Sequence, residues 1–172
     1  MSGRDLVIHH SGFPSGIRLC VGAVVLRGEE VLFVRQTYGK LKGMWSLPWG
    51  FVEGMGSDGH PEPPDEAAMR ETEEEAGVAA RVEGLLGIQN HGTEGGKLGL
   101  YILYLCRHVS GEPTPDNQET DRAAYFSLDE MASFDEPFDE FCEWIARRVL
   151  MNEHHATPPT ATTPYHPHLA FL

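Results

Sequence analysis

Residues 61–78 read PEPPDEAAMRETEEEAGV, and the rest of the chain is organised around what this stretch can form. Pro63 and Pro64 suit a first helical turn, where a missing N–H costs nothing because that donor has no partner in the helix. Asp65 and Glu66 follow near the positive end of the helix dipole, the residues from Ala67 to Ala76 are mostly strong helix formers, and Gly77 ends the run. Glu71, Glu74 and Glu75 then stand at i, i+3 and i+4, so their carboxylates project from one face, with Glu73 beside them. These charges repel one another and meet the negative end of the dipole, each effect costing about a few tenths of a kcal/mol. Only Arg70 and the more distant Arg81 are near in sequence to offset them. A solvated acidic face is the plain reading. The sharper one is a site for a hard divalent cation, Mg²⁺ or alternatively Mn²⁺, because Mg²⁺ typically joins one or two carboxylates to substrate phosphates.

Outward from this helix the pattern alternates. Arg18–Leu26 and Glu30–Thr37 (EVLFVRQT) are β-branched runs joined by Arg27-Gly28-Glu29, which predicts two antiparallel strands and a hairpin. Tyr38–Met44 reads as loop, Trp45–Pro48 and Gly50–Glu53 as short extended pieces, and Gly54–Pro61 as a glycine-rich loop. Beyond the helix, Val78–Gln89 is strand-like with an interruption at Gly84, Asn90–Lys97 a turn, and Leu98–Val109 a buried strand. Gly111–Thr120 is a polar loop of the length that carries function in compact domains, followed by a short strand at Ala123–Phe126. Ser127–Glu130 reads as a capping box, and Pro137–Leu150 as a helix with Arg147 and Arg148 in its last turn. That helix is read as a core element, a homodimer face being the alternative. The whole predicts an α/β sandwich of mixed sheet and packed helices, with residues 1–17 an extension, 18–151 the domain, and 152–172 a Pro/Thr/His-rich tail that is mostly unstructured.

Composition narrows the function classes. The chain has 172 residues, enough for one domain, and a net charge of −13 from 26 acidic and 13 basic residues, which argues against nucleic-acid binding through a basic face. No run approaches the roughly 18–20 apolar residues of a membrane span, and the start MSGRDLVIHH lacks a signal peptide's apolar centre. The expectation is a cytoplasmic protein that does not engage membranes. Cys20, Cys106 and Cys142 sit singly in apolar strings and read as buried free thiols.

Counted back from Val78, the chain supplies Gly77, Glu75, Glu74, Glu71, Arg70, then Glu62 after seven residues and Gly56 five earlier. This resembles the signature of the Nudix hydrolases, G-x5-E-x7-R-E-U-x-E-E-x-G-U, with Thr72 alone departing from it where U is a bulky aliphatic residue. WSLPWGFVEG before the box and AAYFSLDEM after it extend the resemblance over Arg18–Leu150. Gly50 is preferred over Gly56 as the turn glycine, and on that reading Gly54–Pro61 contains an insertion beside the site. The resemblance implies an α/β/α sandwich with a central mixed sheet and flanking helices. It also implies Mg²⁺-dependent hydrolysis by water of the pyrophosphate bond in a nucleoside diphosphate derivative. ADP-ribose-like and dinucleotide substrates such as NADH are favoured, with nucleotides also in view. Glu71, Glu74 and Glu75 become metal ligands, joined by the Trp49 carbonyl and by Glu62, which is otherwise a salt-bridge partner of Arg70. Arg70 orients the glutamates. The general base is a box glutamate or Glu119, with Asp116 and Asp121 as alternatives. Tyr38, Trp45 and Phe51 are the candidates for stacking on a base, and Arg35 and Lys42 for phosphate contacts. His60 and His91 lie in segments that border such a site. Two other functions are weighed: a non-catalytic nucleotide-binding sensor of the same fold, and an isomerase, which would want a cysteine in the site.

Overall fold

The computed structural model describes residues 17–53, 62–92 and 98–158. The N-terminal extension before Ile17, the loop 54–61 with Gly56 and His60, and the tail beyond residue 158 lie outside the described residues. The elements are β1 (Ile17–Arg27), β2 (Glu30–Gln36), β3 (Trp45–Ser46), β4 (Trp49–Phe51), α1 (Pro64–Ala76), β5 (Ala79–Gly92), β6 (Leu98–Ser110), β7 (Thr120–Phe126), α2 (Leu128–Ser133) and α3 (Glu140–Leu150). The strands form one sheet in the order β3-β2-β1-β6-β5, with β4 also paired to β1 and β7 to β2. Among the strands of the described residues, β1 and β6 pair in parallel and the other pairs are antiparallel.

This mixed sheet is covered on both faces, and the strand sequences show why. Alternate side chains of a strand point to opposite faces, so a strand buried on both sides reads as an unbroken apolar run. Val21, Ala23 and Val25 of β1 pack with Ala67, Ala68 and Ala76 of α1. Cys20 and Val24 share the other core with Phe138, Cys142, Ala146 and Val149 around α3. Each fully buried Val or Leu contributes about 1.5–3 kcal/mol relative to exposure. α3 is thus a core helix, and its Trp144 faces outward at 53% exposure. Ser127 and Glu130 form both halves of the expected capping box on α2. α3 starts at Glu140, three residues later than the sequence suggests, because Asp139 caps it by accepting the Cys142 N–H.

Several boundaries move for tertiary reasons. β7 begins inside the polar loop at Thr120, which pairs with Gln36 and whose hydroxyl donates to the Glu75 carbonyl at 2.7 Å. β5 continues past Gln89 to Gly92 because β6 pairs with it throughout. The start of the tail, expected to be mostly unstructured from Asn152, is held at Thr157. Leu85 and Thr157 exchange backbone hydrogen bonds of 2.7 and 2.9 Å. Gly84 permits this approach: a Cβ there would lie 2.9 Å from the Thr157 carbonyl oxygen and 3.0 Å from the Ala156 Cβ.

Trp45 requires a correction. It is 1% exposed, meets Phe126 edge-on at 5.0 Å, and spends its indole N–H on Glu136 at 3.0 Å, so it belongs to the core and not to a ligand surface. All three cysteines are free and buried, as read from their apolar surroundings. Among the described residues no helix is long and apolar enough to cross a membrane.

Candidate functional site

The end of α1 meets β4 and the loop before β7 around a cavity of about 530 Å³. Its walls carry Glu71, Glu74, Glu75 and Glu119, the guanidinium of Arg70, and the rings of Tyr38, Trp49 and Phe51. Helical spacing brings the α1 carboxylates to one side, as the sequence predicts. Their environments then diverge.

Glu75 points inward and is 3% exposed. Its Oε1 accepts from the Gln36 amide at 3.2 Å and its Oε2 from the Trp49 backbone N–H at 3.0 Å. Burial pushes its carboxyl up to about 8, because these two donors do not replace the lost water and the nearby Glu71 and Glu119 charges add to the cost. Burial also raises the Glu71 carboxyl, against the pull of Arg70.

Arg70 is the hub. Its Nε and Nη2 grip both oxygens of Glu62 at 2.7 and 3.1 Å, Nη1 reaches Glu71 at 2.8 Å and Glu74 at 2.9 Å, and Nη2 also donates to the Phe51 carbonyl at 3.0 Å. The planar fork of arginine is what allows so many acceptors to be held at once. Burial drives the Glu62 carboxyl upward, but Arg70 and the Glu53 N–H outweigh it and hold it below the usual range. Of the two readings for Glu62, the salt-bridge partner is the one this geometry displays.

Gly50 is the counterpart of this arrangement on β4. A Cβ at Gly50 would collide with the carboxyl carbon and both oxygens of Glu71, so the glycine's bare backbone is what leaves room for that carboxylate.

Glu119 is held by a loop clamp. The Asp116 carboxylate accepts N–H groups from Gln118, Glu119 and Thr120 at 3.0, 3.0 and 2.8 Å, which keeps it below the usual range despite some burial. The Thr37 N–H donates to the Glu119 carbonyl at 2.9 Å, and the Tyr38 hydroxyl donates to Glu119 Oε2 at 3.2 Å. A second cavity, of about 490 Å³ and mostly apolar, shares the Tyr38 and Trp49 walls and extends to Tyr101 and Phe141, with Gln89 and Asp139 as polar points.

The structure therefore brings Tyr38, Trp49, Phe51, Arg70, Glu71, Glu74, Glu75 and Glu119 together, with Glu62 tied in through Arg70. It does not bring Arg35. That side chain forks onto Asp121 at 2.8 and 2.7 Å and reaches Glu136 at 3.1 Å, an ion cluster that consumes both Arg35 and the alternative base Asp121. Lys42 is exposed in the loop before β3 and does not line the cavity. Nothing is described of the His91 side chain. Sequence reasoning missed Gln36, Thr37 and Thr120, which hold Glu75 and Glu119. The available signal was Gln36 itself, an amide on the same strand face as the apolar Leu32 and Val34 of EVLFVRQ.

Among the described residues no three carboxylate, imidazole or thiolate groups already converge as a closed metal cage. Hard oxygen donors nonetheless border the cavity on one side, and Gly50 leaves open the space beside Glu71. This suits an ion such as Mg²⁺, which takes few protein ligands and completes its shell with water and phosphate.

A family model described as the NUDIX domain matches residues 16–145. The curated ADP-ribose pyrophosphatase of Methanocaldococcus jannaschii is 25% identical over 113 residues, which is 66% of this chain and 63% of that protein, so the match spans less than two thirds of the relative. The crystal structure of a MutT Nudix hydrolase from Burkholderia pseudomallei aligns with a TM-score of 0.64 and 26% identity, covering 78% of this chain and 98% of that one. A Nudix hydrolase from Nitrosomonas europaea, at 22% identity, shares the fold with a TM-score of 0.65 over 82% of this chain and 93% of its own. Because the family model runs unbroken from the start of the first strand into α3, taking in the acidic helix and both walls of its cavity, this chain belongs to the Nudix family.

Proposed function

We propose that this chain is a pyrophosphohydrolase that cleaves the diphosphate linkage of a nucleoside diphosphate derivative, of the ADP-ribose or dinucleotide kind, at the α1–β4 cavity. The observation that carries this reading is the placement of three α1 glutamates, Arg70 and Glu119 around one cavity, beside an apolar cavity with aromatic walls. The first has the chemistry for a diphosphate and its cation. The second has the volume and lining for a flat base, with Tyr38 and Trp49 between them. The relative named as an ADP-ribose pyrophosphatase supports the same choice.

Phosphoryl substitution depends on charge neutralisation and in-line positioning. Glu71, Glu74 and Glu75, with the Trp49 carbonyl, are the residues that would hold Mg²⁺, or Mn²⁺ in its place. When bound, the ion would neutralise phosphate charge and lower the pKa of a bound water. The chain's own residues do the rest. Arg70 keeps Glu71 and Glu74 in register through its fork. Gln36 and the Trp49 N–H fix Glu75 against rotation. Glu119 takes the proton of the attacking water at Oε1, its Oε2 being engaged by Tyr38. A net charge of −13 would repel an anionic substrate, which makes a cation necessary at this spot. Three buried free thiols accord with a reducing, cytoplasmic setting.

The test is turnover of ADP-ribose, NADH, nucleoside triphosphates and diadenosine polyphosphates, with Mg²⁺ or with EDTA, resolved by chromatography beside Glu75→Gln and Glu119→Gln. Metal-dependent cleavage of the diphosphate in one class, abolished by Glu75→Gln, is the expected result. Binding of a nucleotide with no cleavage of any member would overturn it in favour of a sensor.

A further inference from the structure

Tyr38 is the residue in which the two cavities and the loop carboxylate meet. Its ring lines both the acidic and the apolar cavity, and its hydroxyl donates to Glu119 Oε2 at 3.2 Å. The residue before it belongs to the same device: Thr37 Oγ1 lies 2.6 Å from the Gln118 carbonyl and 2.9 Å from that of Glu119, and the Thr37 N–H donates to the latter. Asp116 holds the loop from its other side by taking the N–H groups of residues 118–120. The backbone of Glu119 is thus fixed from two directions. Its long side chain, by contrast, has one described hydrogen bond, the one from Tyr38.

Tyr38 itself is half exposed and follows β2 in extended conformation, just before the short helical turn Gly39–Leu41. Its ring is therefore free to be covered by whatever enters the apolar cavity. Covering it removes competing water from the Tyr38–Glu119 hydrogen bond, and a hydrogen bond to a carboxylate strengthens as water is excluded.

We propose that Tyr38 is a positioning residue: its hydroxyl aims the Glu119 carboxylate, while its ring, as the wall between the two cavities, reports occupancy of the apolar one to that carboxylate. This rests on the reading of Glu119 as the group that takes the water's proton. It separates two contributions of one side chain, a hydroxyl that serves the chemical step and a ring that serves binding.

The experiment is steady-state kinetics of the full chain on ADP-ribose with Mg²⁺ for Tyr38→Phe, Tyr38→Ala, Glu119→Gln and the double variant Tyr38→Phe/Glu119→Gln, with thermal melts of each. Tyr38→Phe is expected to lower kcat about tenfold with KM within about twofold, a displaced rather than deleted base. Tyr38→Ala is expected to lower kcat equally and to raise KM as well. In the Glu119→Gln background Tyr38→Phe is expected to have no further effect, because its target is already gone. A tenfold loss that persists in that background, or a Tyr38→Phe variant that changes KM alone or nothing, overturns the positioning role while leaving the pyrophosphohydrolase reading intact. Full turnover by Glu119→Gln itself overturns the reading of Glu119 on which this inference stands.

Discussion

Replacing Gly50 by Ala probes the site with a single methyl group. The added Cβ would fall inside the van der Waals envelope of the Glu71 carboxyl carbon and both its oxygens. Carbon atoms rest at about 3.5–4.0 Å, so the carboxylate must retreat by roughly 1.5 Å to regain ordinary contact. The backbone is no obstacle, since Gly50 does not carry a positive φ. Retreat breaks the 2.8 Å contact with Arg70, a pair whose side chains are 26% and 12% exposed. After allowance for solvent screening its loss costs on the order of 1 kcal/mol, a fall in Tm of about 2–4 °C. Activity is the sensitive readout. A misplacement of about 1 Å in a positioned group costs on the order of a hundredfold, so kcat on ADP-ribose should fall by about 10² while Tm moves little. Gly87→Ala is the control, because a Cβ there meets nothing within 4 Å. It should keep kcat within about twofold. The assay is initial-rate hydrolysis at saturating Mg²⁺ with melts in parallel. A Gly50→Ala protein that keeps more than half of wild-type kcat would refute the claim that Glu71 depends on this missing side chain.

Three further outcomes follow from other parts of the fold. The Glu75 carboxyl sits at about 8 when folded against about 4.5 when free, so the native state binds the extra proton between these values. Stability is then fully present below about pH 4.5 and declines by an amount on the order of several kcal/mol as pH rises towards 8; melts in EDTA should show this decline, and Glu75→Gln should flatten it. Arg35→Ala should lower Tm only slightly, because Asp121 loses its fork while Trp45 and Arg122 still hold Glu136, and should leave kcat/KM within about twofold; a large rise in KM would return Arg35 to the substrate site. Gly84→Ala should push the tail off β5, so hydrogen exchange at the Leu85 amide should accelerate at least tenfold, and unchanged protection would show that the tail is not held there.

The acidic helix and its cation chemistry were legible because they are local. Spacing of three and four residues puts Glu71, Glu74 and Glu75 on one face whatever the rest of the chain does, and Arg70 is their neighbour in sequence. The sandwich was legible for a related reason: apolar runs from Leu19 to Leu26 and from Tyr101 to Cys106 demand cover on both faces of a sheet, and the helices available are few. The fates of isolated residues were not legible in this way. Arg35 and Trp45 have the right chemistry for a ligand, but a charge takes whichever counter-charge the fold brings nearest and an indole takes the largest apolar neighbourhood. Here those are Asp121, Glu136 and the Phe126 cluster, distant in sequence.

The sequence alone determined the helix, its carboxylate face, the strand alternation and the capping box, since each depends on interactions within a few residues. Tertiary structure alone decided that Gln36 would hold Glu75, that Thr37 and Tyr38 would hold Glu119, that Gly50 would make room for Glu71, and that Thr157 would close onto Leu85. Those pairings join segments up to 82 residues apart, and the free energy that brings such segments together comes from burying both faces of the sheet, a property of the whole chain that no short window of sequence contains.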